Sequence, residues 1–297
     1  MSDAVSDDLD RFLERCRQAV DDRLDQHVPP LGTQPAILHE AMRYTLLAPG
    51  KRLRGAVLLA VVEMLRGDVD AAVDVAAAIE MVHAASLILD DLPSMDDASL
   101  RRGRESSHRR FGEANAILAA IGLLNLGYGT VSGCRALTDR TRGEIVSGLS
   151  SAIGAEGLVG GQVADLEATG TNLELDSLEF IHRNKTGALF IVSAEAGAWV
   201  AGGGRRDREA LHAYAKNLGL AFQITDDLLD FSGDPAATGK DAGLDRGKTT
   251  FVDLCGIEGA RKLTDQLIDT AILNLKSLGR RSHRLAALAE AVRGRDR

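Results

Sequence analysis

Apolar residues recur every three or four positions along almost the whole chain, which is the spacing of one face of an α-helix. The first such segment runs from Leu9 to Leu24, with Ser6 as a candidate N-cap, and a group of prolines ends it. The same pattern predicts helices over residues 36–47, 54–65, 71–90, 113–134, 142–153, 163–168, 177–200, 207–231, 251–275 and 282–292.

The interruptions between these segments are short, and none of the segments has the period-two pattern of a half-buried strand. No linker and no internal repeat is evident. Several predicted helices are apolar nearly all round, which indicates that they are buried. The sequence therefore predicts an all-α, single-domain helical bundle of ten or more helices that spans residues 1–297.

Two acidic clusters each follow a long apolar segment. The first is Asp90-Asp91-Leu92-Pro93-Ser94-Met95-Asp96-Asp97, and the second is Asp226-Asp227-Leu228-Leu229-Asp230. Carboxylates at the end of a buried helix need a counter-charge, because desolvation and mutual repulsion raise their pKa values. A shared cation supplies that charge, and oxygen ligands without neighbouring Cys or His favour a hard ion such as Mg2+. The alternative for either cluster alone is a solvated helix end.

Basic groups accompany both clusters, and a magnesium-bridged diphosphate requires both kinds of charge. Gly50-Lys51-Arg52-Leu53-Arg54 opens the third helix, where the helix dipole also favours an anion. Leu100-Arg101-Arg102-Gly103-Arg104 follows the first cluster, and Lys240 and Lys248 follow the second. Asn184-Lys185-Thr186-Gly187 lies inside an otherwise apolar helix, which predicts an anionic partner for the lysine. The alternative for charge runs of this kind is a solvated face.

Helical spacing places two further polar groups beside the clusters. His83 shares a face of the fourth helix with Asp90, so its side chain points toward the acidic end. A lone histidine at such a position is otherwise a structural residue. Gln223 lies on the face of the later helix that carries the second cluster. The two acidic helices are therefore expected to face each other.

Composition limits the partners and the compartment. The net charge of -8 and the pI near 5.4 argue against nucleic acid or an anionic membrane surface as a general partner. Three cysteines without C-x-x-C spacing suggest neither a disulfide framework nor a zinc site, and a cytoplasmic location is expected. The N-terminus lacks the features of a signal peptide. The longest apolar stretch, residues 116–124, is shorter than the ~20 residues that span a bilayer.

Taken together, these motifs resemble those of the trans-isoprenyl diphosphate synthases over nearly the whole chain. The matching phrases include Lys51-Arg52-Leu53-Arg54, the two aspartate clusters, His182-x-x-Lys185-Thr186-Gly187, and Gly239-Lys240 through Gly247-Lys248. A lone D-D-x-x-D would also fit a terpene cyclase, but cyclases usually have a different second metal motif. Two phrases, His83-Ala84-Ala85-Ser86-Leu87-Ile88-Leu89 and Gly157-Leu158-Val159-Gly160-Gly161-Gln162, are most similar to bacterial carotenoid-pathway geranylgeranyl diphosphate synthases. Gly55 stands where many family members have proline.

The resemblance implies an isoprenoid synthase fold with a central cavity and Mg2+-dependent condensation of isopentenyl diphosphate with dimethylallyl, geranyl or farnesyl diphosphate. Asp90, Asp96 and Asp226 would bind Mg2+, with three ions by the family pattern. The other catalytic positions are Asp91, Asp227, Asp230, Lys185, Thr186 and Gln223. Isopentenyl diphosphate would be bound by Lys51, Arg54, His83 and Arg102. The allylic diphosphate would be bound by Arg101, Lys185, Thr186, Gln223, Lys240 and Lys248. The family also implies a homodimer, with the apolar residues 116–126 as a candidate contact.

The resemblance places the control of product length near Ala85 and Ser86. Ala85 lies five residues before Asp90, roughly 7.5 Å along the helix. An aromatic side chain there would shorten the pocket and favour farnesyl diphosphate, whereas alanine leaves room for geranylgeranyl diphosphate. Alternatively, Ala85 is only a packing residue, and a side chain near Leu123 or Leu124 forms the pocket floor.

Three other functions remain open from the sequence. A farnesyl diphosphate synthase would have the same motifs and a shorter pocket. A non-catalytic regulatory subunit of a heteromeric prenyl synthase would keep the fold, but such subunits typically lose an aspartate motif, and this chain has both. A helical metal-dependent hydrolase would need a base beyond the aspartates, and the sequence offers none.

Overall fold

Helices form almost all of the structure, as the sequence pattern predicts. The computed structural model describes residues 3–232, 248–276, 278–279 and 282–295. The helices in chain order are α1 (Asp3–His27), α2 (Ala36–Leu46), α3 (Leu53–Leu65), α4 (Val69–Asp90), α5 (Ser107–Phe111), α6 (Glu113–Gly133), α7 (Asp139–Ile153), α8 (Leu158–Ala168), α9 (Leu175–His182), α10 (Ala188–Val200), α11 (Arg205–Ser232), α12 (Phe251–Lys276) and α13 (His283–Arg293). A π-helical turn, Arg183–Gly187, joins α9 to α10. A two-stranded antiparallel hairpin, β1 (Leu100–Arg101) and β2 (Arg104–Glu105), follows α4.

The all-α prediction of ten or more helices is confirmed, with local corrections. Helix α1 already begins at Asp3, so Ser6 is not its N-cap. Helix α8 begins at Leu158, five residues before the predicted start, because its first turn contains two glycines and shows little apolar pattern. The hairpin and the five-residue α5 were not predicted, since elements of two to five residues are too short to show a period.

Helix α4 lies in the largest apolar core and is buried on most of its surface. Its start is fixed by Asp68, whose side chain accepts hydrogen bonds from the backbone N–H groups of Asp70 and Ala71. Helices α1, α3 and α6 pack against it, and α10 packs on α3 and α11. The α3–α10 contact is close, because a Cβ at Gly197 would lie only 2.8 Å from the Leu58 carbonyl oxygen. The end of α4, with its aspartates, is therefore held from several sides.

A second, smaller apolar cluster holds α9, α11 and the start of α12 together. Leu178, Ile224 and Phe251 are its central buried residues. At the other end of α11, the Tyr214 hydroxyl donates to the Leu285 carbonyl oxygen of α13 at 2.7 Å. Helix α11, which carries the second acidic cluster, is thus fixed at both ends.

Among the described residues, two helices, α4 and α6, reach the length and hydropathy of a membrane span, which was not expected from the sequence. The apolar window of α4 is 72% buried within the fold, and that of α6 is 39% buried. Core helices of soluble proteins meet the same criterion, so these features are weak grounds for a membrane span. The exposed apolar side chains on α6 include Leu118 and Ile121.

Candidate active site

The loop after α4 folds the first acidic cluster back onto the end of that helix. The Asp96 backbone N–H donates to the Asp90 carbonyl oxygen at 3.0 Å, and the Asp97 N–H donates to the Leu92 carbonyl oxygen at 3.0 Å. Asp97 has a φ of +46° and contacts Arg109 near the surface. The turn therefore brings Asp90 and Asp96 together, as predicted, and directs Asp97 away.

Two lysines cross-link this loop to helix α8 through a buried carboxylate, Asp165. The Lys185 Nζ lies 2.8 Å from Asp165 Oδ2 and 3.8 Å from Asp90 Oδ1. The Lys248 Nζ lies 2.8 Å from Asp96 Oδ1 and 3.1 Å from Asp165 Oδ2. We call Asp90, Asp96, Asp165, Lys185 and Lys248 the lysine–aspartate cluster. It supplies the anionic partner that the sequence predicts for Lys185.

Burial and charge act in opposite directions within this cluster. Burial raises the pKa of Asp90, and the nearby Lys185 only partly offsets that effect. For Asp165, burial also acts to raise the pKa, but Lys185 and Lys248 outweigh it and bring the pKa below its usual value. Burial acts to lower the pKa of Lys248, yet hydrogen bonds and charge from Asp96 and Asp165 raise it. Asp165 and Lys248 therefore stabilise each other's charged forms.

Arg101 pairs with the remaining aspartate at the end of α4. Its Nε donates to Asp91 Oδ1 at 2.8 Å, and its Nη2 contacts the same oxygen. Asp91 is buried, which raises the pKa of its carboxyl group, while the Arg101 hydrogen bond acts to lower it. The hairpin thus brings a guanidinium directly beside the first acidic cluster.

The residues predicted to bind isopentenyl diphosphate also lie together. The Arg54 Nη1 donates to His83 Nε2 at 3.1 Å. Burial and the charges of Arg54 and Arg102 lower the pKa of His83 well below its usual value, so the imidazole is neutral and accepts this bond. Arg102 donates to the Pro49 carbonyl oxygen at 2.8 Å, beside the start of α3. Lys51 is exposed, but partial desolvation of its ammonium group and the charge of Arg295 lower its pKa.

The second acidic cluster forms a chain of hydrogen bonds with the π-helical turn. The Thr186 hydroxyl donates to Gln223 Oε1 at 3.0 Å, and Gln223 Nε2 donates to Asp227 Oδ1 at 3.1 Å. The other carboxylate oxygen of Asp227 accepts from the Phe251 backbone N–H at 3.0 Å, at the first residue of α12. A carboxylate at a helix N-terminus is favoured by the helix dipole. Asp227 therefore joins α11 to α12.

Sequence reasoning missed Asp165 and underestimated Arg295. Asp165 lies three residues after Gln162 in a predicted helix. Its side chain is buried and contacts Lys185, and this contact between distant segments cannot be read from the sequence. Arg295 was not among the predicted site residues, yet its Nη2 lies 2.8 Å from Asp226 Oδ1, and its guanidinium stacks 4.2 Å from the centroid of Phe222.

Other predicted site residues differ in what surrounds them. Asp230 is exposed on the same helix as Asp226, and Lys240 lies outside the described residues. Ala85, on α4, is buried in the apolar core. The Ser86 hydroxyl donates to the His83 carbonyl oxygen at 2.8 Å.

Within the described residues, no three Asp, Glu, His or Cys side chains converge as a preformed metal-binding cluster. Lysines and arginines lie between the carboxylates instead, as the contacts of Asp96 and Asp226 illustrate. Mg2+ is usually held by one or two carboxylates, waters and substrate phosphates rather than by a protein cage. Carboxylate oxygens balanced by nearby cations therefore fit Mg2+ bound together with a diphosphate. The fold and this site together are those of an all-α protein of a diphosphate-binding class.

Comparisons with known proteins give the family. A family model for polyprenyl synthetase matches residues 35–281. The chain is 44% identical over 286 residues to farnesyl diphosphate synthase of Escherichia coli (strain K12). This alignment covers 95% of this chain and 96% of that protein. It is 40% identical over 263 residues to geranylgeranyl diphosphate synthase of Pseudescherichia vulneris, covering 88% and 84%. A solved geranyltransferase from Helicobacter pylori, complexed with magnesium and isoprenyl diphosphate, has a TM-score of 0.85 and 30% identity, with coverage of 96% and 95%.

The chain belongs to the polyprenyl synthetase family. It is a trans-prenyltransferase of the short-chain isoprenyl diphosphate synthase type, a Mg2+-dependent class that uses isopentenyl diphosphate and allylic diphosphates. Relatives include both farnesyl and geranylgeranyl diphosphate synthases, so the predicted closeness to carotenoid-pathway enzymes stays a prediction.

Gly161 offers a test of how closely Lys185 must be positioned. A Cβ at Gly161 would lie 2.4 Å from the Lys185 backbone nitrogen and 2.9 Å from the Asn184 carbonyl carbon. Gly161→Ala should therefore displace the π-helical turn, and we expect kcat/KM for prenyl transfer to fall about 10²-fold. Gly143→Ala is the matched control, because a Cβ there meets nothing within 4 Å. Equal activity in both variants would contradict this account of α8.

Proposed function

We propose that the enzyme makes geranylgeranyl diphosphate as its main product, by adding isopentenyl diphosphate to allylic primers up to farnesyl diphosphate. The observation that carries this proposal is the small side chain of Ala85, one turn and a half before Asp90 on α4. Ala85 is only 3% exposed and lies among buried apolar residues. A growing hydrocarbon tail that runs along α4 from the aspartates would meet no aromatic side chain at this position.

The residue roles that we propose follow the arrangement of charge. Arg101, Lys185 and Lys248, with Thr186 and Gln223, would bind the allylic diphosphate and stabilise the charge that develops as it departs. Lys51, Arg54, His83 and Arg102 would hold isopentenyl diphosphate so that its double bond lies beside the allylic cation. This orientation makes the coupling effectively intramolecular. Lys240 is proposed as a further diphosphate ligand from outside the described residues.

For Mg2+, we propose Asp90, Asp96 and Asp226 as ligands, with Asp91, Asp227 and Asp230 in supporting positions. Bound there with the substrate phosphates, the ions would neutralise negative charge on the leaving diphosphate. Lys248 and Arg295 contact two of these carboxylates, at 2.8 Å in each case. When substrate binds, each of these two side chains would exchange its carboxylate partner for a phosphate oxygen.

The direct test is product analysis with purified protein, labelled isopentenyl diphosphate, Mg2+ and each of dimethylallyl, geranyl and farnesyl diphosphate. We expect geranylgeranyl diphosphate as the main product from every primer. Accumulation of farnesyl diphosphate, without elongation of added farnesyl diphosphate, would contradict the proposed product. No product from any primer would favour the regulatory subunit instead.

Ala85 can be tested separately from the reaction. Ala85→Tyr places a large ring five residues before Asp90, so we expect the product to shorten from geranylgeranyl to farnesyl diphosphate. Total turnover of isopentenyl diphosphate should stay within about threefold, because the aspartates are unchanged. Ala114→Tyr, at an exposed alanine on α6, is the control and should leave the product distribution unchanged. An unchanged product distribution in Ala85→Tyr would refute this role.

A farnesyl diphosphate synthase is the second candidate. It is favoured by the 44% identity to the Escherichia coli farnesyl diphosphate synthase. The same product analysis distinguishes the two functions.

Assembly and location are also proposals. We propose a homodimer formed through α6, supported by the exposed side chains of Ile117, Leu118 and Ile121 on one helix. We propose that residues 1–297 form one domain, supported by the packing of α1 and α13 on the main core. A cytoplasmic location is supported by three free cysteines, and a role in carotenoid biosynthesis would follow from a geranylgeranyl product.

A further inference from the structure

Glu80 is a buried carboxylate that none of the proposed catalytic roles uses. It lies on α4, one turn before His83, and is 3% exposed. A carboxylate at this depth is unfavourable unless charge and hydrogen bonds balance it. The groups around Glu80 therefore indicate what it does.

One group is the start of helix α3, which has no side-chain cap of its own. The N-cap residue, Arg52, has a left-handed backbone with φ of 47° and makes no capping hydrogen bond. The Gly55 backbone N–H, in the first turn, donates instead to Glu80 Oε1 at 3.2 Å. Glu80 thus satisfies a helix N-terminus from a neighbouring helix. This bond requires a residue other than proline at position 55, because proline has no N–H.

The second group is Arg52, whose side chain is 3% exposed. Its Nη1 lies 3.9 Å from Glu80 Oε2, and its Nε donates to Asp21 Oδ1 at 2.7 Å. Its Nη2 donates to the carbonyl oxygen of Ala48 at 3.2 Å. That carbonyl also accepts from Arg102 Nη1 at 3.4 Å. The Glu80–Arg52 pair is therefore linked to Arg102 through one backbone oxygen.

Arg54 is the third cation near Glu80. Burial lowers the pKa of Arg54, and Glu80 is the foremost of the charges that oppose this effect. Burial and the like charge of Arg52 lower the pKa of Arg102, and the negative charge of Glu80 acts against both. One arginine, Arg52, thus contacts the buried carboxylate, and the charge of Glu80 also acts on Arg54 and Arg102, which are both proposed ligands of isopentenyl diphosphate.

We propose that Glu80 is a positioning residue whose negative charge holds Arg52, Arg54 and Arg102 in the arrangement that receives the diphosphate of isopentenyl diphosphate. This inference rests on the proposed function for the choice of ligand. Without the carboxylate, mutual repulsion would separate the arginines before substrate arrives. With it, the site is preorganised for an anion.

Glu80→Gln tests this role, because it keeps the shape and a hydrogen-bond acceptor for Gly55 but removes the charge. We expect calorimetry to show an increase of about tenfold in the Kd for isopentenyl diphosphate. In turnover, KM for isopentenyl diphosphate should rise similarly, while KM for farnesyl diphosphate and kcat stay within about threefold. Glu80→Asp keeps the charge and should bind isopentenyl diphosphate more tightly than Glu80→Gln.

Glu63→Gln is the control for a purely structural effect. Glu63 lies ten residues after Leu53 on α3 and bridges Arg15 and Arg284, away from the start of the helix. Glu63→Gln should lower the stability of the protein without changing the Kd for isopentenyl diphosphate. An unchanged Kd in Glu80→Gln, or equal weakening in Glu80→Asp, would overturn the role of Glu80. Binding by the wild-type protein without any turnover would instead refute the proposed function, and the calorimetric comparison would still decide the role of Glu80.

Discussion

Replacing Asp90 with asparagine is expected to lower kcat about 10³-fold and to leave the fold intact. Asp90 is the proposed Mg2+ ligand that lies closest to Lys185, and loss of one preorganised electrostatic group typically costs about 10²- to 10³-fold or somewhat more. Burial raises the pKa of Asp90, so its charged form opposes folding at neutral pH. Asp90→Asn should therefore unfold at the same temperature as the wild-type protein or at a higher one. Steady-state assays and calorimetry measure the two effects separately.

Asp97→Asn is the matched control for this experiment. Asp97 belongs to the same loop, but its side chain is 57% exposed and contacts Arg109 and His108. We expect its kcat to stay within about threefold of wild type, since surface ion pairs contribute little. If Asp90→Asn retained most of its activity, Asp90 could not be a metal ligand. If both variants lost activity equally, the loop conformation and not the metal site would be responsible.

The largest expected effect on stability belongs to Asp165→Asn. This change removes the charge of a buried carboxylate that two half-buried lysines share, at 2.8 Å from Lys185 and 3.1 Å from Lys248. Removal of one partner of a buried ion pair typically lowers the free energy of unfolding by about 3 kcal/mol. For a chain of this size, that corresponds to a fall in Tm of roughly 6 °C. Among the residues that the structure describes, the carboxylate left near Lys185 would be that of Asp90, at 3.8 Å. Thermal unfolding monitored by circular dichroism provides the measurement.

The pH dependence of that difference gives an independent check. Lys185 and Lys248 hold the pKa of Asp165 below its usual value, so its stabilising charge is fully present above the unfolded-state pKa of about 4. The contribution is lost as the pH falls through the lower folded-state pKa. The Tm difference between wild type and Asp165→Asn should thus be constant from pH 5 to 8 and shrink below about pH 4. Asp139→Asn, at an exposed carboxylate, should show no difference at any pH.

Much of the fold could be predicted because its signals are local. The apolar period defines α3, α4 and α6 to within two residues, since each helix has a long buried face and a clear end. The acidic clusters were found in the same way, because their residues are adjacent in sequence. Lys185 is an intermediate case: its apolar surroundings predicted an anionic partner without identifying it.

The parts that were missed depend on contacts between distant segments. Asp165 becomes significant only when α8 packs against the π-helical turn, and Arg295 only when the chain returns to Asp226. Glu80 has the same origin, since its partners lie 25 or more positions away in sequence. A single sequence carries no pattern for such pairs, because their spacing is set by the tertiary fold rather than by a helical or strand period.

The π-helical turn at Arg183–Gly187 has a consequence for how this region can change during evolution. A π turn is equivalent to one residue inserted into an α-helix, and neighbouring side chains on it are separated by less than the roughly 100° of an α-helix. Lys185 and Thr186 are adjacent, yet Lys185 reaches Asp165 on α8 and Thr186 reaches Gln223 on α11. Loss of one residue here would preserve a continuous helix while rotating α9 relative to α10. Helical content would survive such a deletion, but the shared orientation of the two side chains would not.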